Sequence, residues 1–182
     1  MAVIGMSEQA LLLERWANFY LLTAEAAATL IGLLFVVIAL AAQRGHGDTA
    51  KIHIYLTPTV IYFASVLCLA ALLIFPNHTR LTATLCICLV GVVGLVYSGF
   101  FFIGRDVKKS YYDPRHPITY AVFPFAAYGL LVLGGILLLH DPQRGLTLVA
   151  AGMLSLLGVA IRNSWAIAIG VVSTPPGRHS SA

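Results

Sequence analysis

The amino-acid sequence predicts an all-α polytopic membrane protein, a bundle of five transmembrane helices with the N-terminus outside and the C-terminus in the cytoplasm. Three observations predict it. Hydrophobic residues make up 59% of the 182 and charged residues only 10%, and mean hydropathy is +0.90. A soluble domain carries about 25% charged residues, so this chain lacks the polar surface that water demands. Five apolar runs reach or approach the roughly 20 residues that cross the hydrocarbon as a helix. The basic residues gather between those runs, where they act on topology.

Because lipid offers backbone groups no hydrogen-bonding partner, each run reads as a helix, and no window alternates as a barrel strand would. Residues 1–16 contain Glu8 and Glu14 and no basic leading region, which argues against a cleaved signal peptide. With Ser7 as N-cap and Leu11, Leu12 and Leu13 following, they read as an interfacial segment that either lies along the membrane surface or runs into the first span. The first span covers 17–42 behind Trp16, Phe19 and Tyr20, an aromatic belt. The second covers 57–76, with Thr57 as cap, Pro58 at the first helical position and Pro76 as the stop. The third covers 80–104 and the fourth 117–140, with Pro124 inside it as a kink. The fifth covers 142–173 after the cap pair Asp141-Pro142, and residues 174–182 read as a disordered tail. The connections are too short for a second domain, and no internal repeat is visible.

Orientation follows from Lys and Arg. The N-terminal side has Arg15, Arg80 and Arg144; the other has Arg44, Lys51, Arg105, Lys108, Lys109, Arg115 and Arg178. The richer side is cytoplasmic by the positive-inside rule, so the chain reads as a multi-pass protein of the inner, cytoplasmic membrane. This also accounts for the pI of about 9.1 without nucleic acid as a partner. Small residues mark packing faces: Ala24, Ala28 and Gly32 on the first helix, Gly91, Gly94 and Ser98 on the third, Gly152, Ser155 and Gly158 on the fifth.

Glu25 and Arg162 are the formally charged residues well inside the spans. A charge at mid-bilayer costs roughly 2.5–3.5 kcal/mol on insertion scales, so it pairs, faces water or reaches the interface. Three readings compete. Arg162 and Trp165 form a boundary anchor; or Glu25 and Arg162 form an ion pair between two helices running the same way; or Glu25, Arg162, Asn163 and Ser164, with Tyr62, Tyr97 or Tyr128, form a proton or anion relay. Counted from the outer helix ends, Arg162 lies about eight residues deeper than Glu25, roughly 12 Å, a gap that arginine's length and helix tilt would have to close.

The other polar residues carry less. Cys68, Cys86 and Cys88 lie in apolar runs, and the histidines fall in loops, span ends or the tail, so neither a disulfide framework nor a metal site is expected. His46, Asp48 and His53 share a glycine-containing loop without a fixed helical spacing. Arg105, Lys108, Lys109 and Arg115, beside Tyr111 and Tyr112, form a candidate anionic-lipid surface. No nucleophile elbow, phosphate loop, HExxH helix or dinucleotide fingerprint is present. The chain therefore reads as no enzyme and no cofactor carrier.

Asn18-Phe19-Tyr20, then Ala26 to Ala28, then the run from Gly32 to Leu40, followed by Thr57 to Val60 and Asn163 to Trp165, resemble a family of small bacterial multi-pass membrane proteins of no assigned function. The resemblance spans nearly the whole chain and implies the same fold. In its pattern Glu25 stands in place of a glycine and Arg162 in place of a histidine, which favours the pairing of the two. Two roles follow as expectations: a membrane scaffold or accessory subunit contacting a membrane-protein partner or further copies of itself, or a small oligomeric channel or transporter using Glu25 and Arg162.

Overall fold

A computed structural model describes the backbone of residues 2–43, 49–75, 79–103 and 117–173 and the side chains of 16–40, 43, 56–75, 79–100 and 122–169. Among these residues the chain is all-helical. The elements are α1 (Ala2–Gln43), α2 (Thr49–Ile74), α3 (Arg80–Ile103), α4 (Pro117–Leu137) and α5 (Pro142–Ser173). Four stretches are long and apolar enough to cross a membrane: Trp16–Leu40, Leu56–Ile74, Arg80–Phe100 and Pro142–Ile169. In α4 the apolar stretch Val122–Leu137 is shorter.

Helix starts follow local chemistry where a side chain caps them. Thr79 Oγ1 accepts from the Thr82 amide at 3.2 Å ahead of α3. Asp141 Oδ1 accepts from the Arg144 amide at 3.2 Å ahead of α5, and its Oδ2 meets Arg144 Nε at 3.2 Å. Each satisfies one of the donors that a helix start leaves unpaired. The tight α4–α5 connection closes through the amides of Leu138, His140 and Asp141, which donate to Gly134 and Leu137 carbonyls at 2.8–3.0 Å.

Two starts differ from expectation. Ser7 lies inside α1, so it is not the cap, and helical backbone continues unbroken from residues 2–16 into the apolar run. Thr57 and Pro58 lie inside α2, which begins eight residues earlier at Thr49. No glycine or proline interrupts 49–57, and a proline removes one backbone bond without ending a helix that neighbours support. Pro124 likewise sits within α4. The basic set Arg105, Lys108, Lys109 and Arg115, the loop residues His46 and Asp48 and the tail 174–182 lie outside the described residues, whereas His53, expected in that loop, lies within α2.

Helices α2, α3, α4 and α5 form a ring in which each touches the next, and α1 lies against α2 and α5. Tyr20, Phe63, Ile87, Tyr128, Leu131, Met153 and Leu156 fill the core. A smaller cluster joins Leu34 of α1 to Ile167 of α5 with Leu56 and Val60 of α2. Glycines bring backbones together where the ring closes. A Cβ on Gly91 would lie 2.7 Å from Val132 Cγ2, one on Gly134 2.9 Å from the Gly145 carbonyl, and one on Gly152 2.9 Å from Leu131 Cδ2. The outer surface is apolar: Leu89 is 65% exposed, Phe100 75% and Phe123 56%. Contiguous surface of this kind is unstable in water and suits lipid, where helices hydrophobic all round belong.

Candidate functional site

The polar residues within the apolar helices divide into an outward and an inward set. On α1 the residues facing the bundle are Tyr20, Thr23, Ala27 and Leu34. At 100° per residue Glu25 projects about 170° from the mean direction of that set, and it is exposed. On α5 the buried set runs through Val149, Met153, Leu156, Ala160, Asn163 and Ile167. Arg162 projects about 140° from that set and is exposed, as is Trp165 at 69%. The fold thus turns both charges outward instead of joining them within the bundle.

Their depths follow from two contacts. The Tyr20 hydroxyl donates to the Leu146 carbonyl at 3.4 Å near one end, and Leu34 and Ile167 share a cluster near the other, so α1 and α5 run the same way. A tyrosine ring leans toward its helix N-terminus, which makes Leu34 and Ile167 the better ruler. Nine residues before each lie Glu25 and Gly158; five before each lie Thr29 and Arg162. Arg162 is therefore four residues deeper than Glu25, roughly 6 Å. It is also 13 residues past the level of Trp16, roughly 20 Å along the helix axis.

The inward set consists of amide and hydroxyl groups. Asn163 is buried, and its Oδ1 has no hydrogen-bond partner among the described residues. Ser164 returns its proton to the Ala160 carbonyl at 2.9 Å, the usual way a helical serine satisfies itself in lipid. Between α2 and α4, Ser65 Oγ donates to the Ile61 carbonyl at 2.8 Å and lies 3.0 Å from the Tyr128 hydroxyl. A serine has one proton, so Tyr128 donates to Ser65. Tyr62 packs beside it with ring centroids 6.2 Å apart, and Tyr97 is half-buried on α3. The Tyr128 ring occupies the space where a Cβ on Gly94 would stand. Thr84 and Ser98, on the buried face of α3, hold hydroxyls without a partner among the described residues.

Of the residues singled out in the sequence, Arg162, Asn163 and Ser164 are neighbours on one helix that face different ways, while Glu25 stands on another helix. The Ser65–Tyr128 pair was missed. Its signal was a serine on α2 and a tyrosine on α4, which only the packing of those helices can connect. The face Ala24, Ala28 and Gly32 was expected to receive a neighbouring helix, yet Ala28 and Gly32 are exposed and nothing lies within 4 Å of a Cβ on Gly32. Gly158 is open in the same way, whereas Gly91, Gly94 and Gly152 are filled. The three cysteines are free thiols, and no three His, Cys, Asp or Glu converge on a metal position among the described residues.

These features define a helical protein of membrane type by class. Comparison with family models, curated proteins and solved structures returned no match in any of the three.

Proposed function

We propose that this chain is a membrane scaffold or accessory subunit, spanning a bacterial inner membrane five times with its N-terminus outside and its C-terminus in the cytoplasm. In this reading α4 is the fifth span, and the Lys and Arg excess of the connecting segments sets the orientation. The reading carries forward the resemblance drawn from the Asn18–Tyr20, Gly32–Leu40, Thr57–Val60 and Asn163–Trp165 motifs.

The observation that supports the role most is the outward exposure of both Glu25 and Arg162. A relay or a permeation path inside one chain would hold its charges against the interior, where water or substrate passes. Here the interior is filled by aromatic and aliphatic side chains, and the charges stand where another membrane protein would touch. Open glycines beside them, Gly32 and Gly158, favour close helix approach, which is how helices associate in lipid. The connections are too short for a domain of their own, which leaves the helix surfaces as the larger part of what the described residues offer.

An oligomeric channel is the second reading, favoured only by the same exposure if the charges face a seam between copies. A native-membrane pull-down tests the role. Wild type is expected to retain a stoichiometric membrane-protein partner that the Glu25→Gln variant releases. A chain that elutes alone, and that carries ion flux in proteoliposomes, would contradict it.

A further inference from the structure

We propose that a second copy of this chain docks on the outward sides of α1 and α5, so that Glu25 of each copy pairs with Arg162 of the other. The inference rests on the scaffold reading in one respect, that these outer helix faces are where the protein makes contact.

Charge complementarity selects the occupant. A carboxylate exposed to hydrocarbon calls for a cation at matching depth, and this chain carries an exposed cation of its own on the neighbouring helix. Two copies related by a two-fold axis along the bilayer normal share the same depths and use the same patch, so residue i meets residue j twice.

The sequence around each charge suits that arrangement. By the ruler of Leu34 and Ile167, Glu25 is level with Gly158 and Arg162 is level with Thr29. When α1 of one copy lies on α5 of the other, Glu25 faces a residue without a side chain. Arg162 faces the stretch of Ala28, Thr29 and Gly32. Nothing stands within 4 Å of a Cβ on either Gly32 or Gly158, so both sites are open to a close approach. The arginine is the deeper of the two and leans toward its helix N-terminus. That lean is toward Glu25.

Charge exchange between copies tests this. Full-length chains carrying two different tags are co-expressed, and self-association is read by co-purification and by sedimentation in detergent. Glu25→Arg alone and Arg162→Glu alone are each expected to weaken self-association on the order of ten-fold, because every pair becomes a like-charge contact. Mixing the two single variants is expected to restore it, since both pairs in the mixed dimer are again opposite in sign. Rescue only when both changes share one chain, with none in the mixture, would show an internal pair and overturn the proposal. Self-association that is unaffected by either change would overturn it too, leaving Arg162 as a boundary anchor.

If a charge reversal prevents folding, a cysteine-free background with Glu25→Cys in one copy and Arg162→Cys in the other gives a second measurement. A short thiol cross-linker is expected to join the mixed copies and not two Glu25→Cys copies; the reverse pattern contradicts the pairing. Capture of a different membrane protein without any self-association would overturn the dimer and leave the scaffold reading standing. Self-association with rescue in the mixture, and no other partner, would support the dimer and count against an accessory role.

Discussion

The ring of Tyr128 lies on the bare Cα of Gly94 while its hydroxyl reaches Ser65 Oγ at 3.0 Å, so one side chain closes α4 onto both α3 and α2. Any side chain at position 94 collides with that ring. Gly94→Ala is expected to destabilise the fold by about 1–3 kcal/mol, the usual range for overpacking a filled site. Gly129→Ala, one residue from Tyr128 but with nothing within 4 Å of its Cβ, is expected to leave the melting temperature nearly unchanged. Thermal unfolding in one detergent compares the two.

Tyr128 acts more through its ring than through its hydroxyl. Ser65 keeps its bond to the Ile61 carbonyl when the tyrosine proton is gone, so Tyr128→Phe leaves no stranded donor and is expected to cost about 0.6 kcal/mol, the average for such bonds in membrane helices. Tyr128→Ala opens a cavity in a fully buried position and is expected to cost about 3–5 kcal/mol. Equal losses in the two variants would mean that the hydrogen bond dominates.

Asn163 presents the opposite case, a buried acceptor without a donor among the described residues. Leucine has the same branched shape and no polar atom. Asn163→Leu is expected to raise the melting temperature, because an unsatisfied buried polar group costs about 1–3 kcal/mol. A sharp fall would reveal that Oδ1 is engaged in the membrane.

How much of this was legible in the sequence depends on what produces contrast along the chain. The apolar runs were legible because a bilayer demands length and greasiness, and Asp141-Pro142 was legible because an aspartate cap followed by proline is a local signal. Gly91, Gly94 and Gly152 were found as packing positions for the same reason, since a missing side chain invites a neighbour. The orientation of each helix about its axis was not legible. In water the polar face names the outside, but here Leu33 and Phe35 point out while Leu34 points in, and lipid and core are chemically alike. Ala28 and Gly32 therefore read as a packing face for a neighbouring helix and prove to be outward. Thr57-Pro58 read as a start for a related reason: a cap signal is local, whereas the extension of α2 back to Thr49 depends on nothing stopping the helix. The pairing of Ser65 with Tyr128 joins residues 63 positions apart, and only the closed ring of helices makes it visible.

The five-span topology has its own check. Accessibility labelling of single cysteines placed near the two ends, in intact cells, is expected to find the N-terminal site reachable from outside and the C-terminal site only after permeabilisation. Both ends on one side would remove α4 as a span.

Solvation of the outer surface by lipid is the condition on which this fold stands. The direct measurement is photolabelling by a probe confined to the bilayer core, read residue by residue by mass spectrometry. Phe35, Leu89, Phe100 and Leu154, all more than half exposed, are expected to be labelled, while Phe63, Leu131 and Leu156, all fully buried, are expected to be spared. Labelling of the buried set as strongly as the exposed set, or no labelling because the purified chain stays dispersed in buffer without detergent, would contradict it.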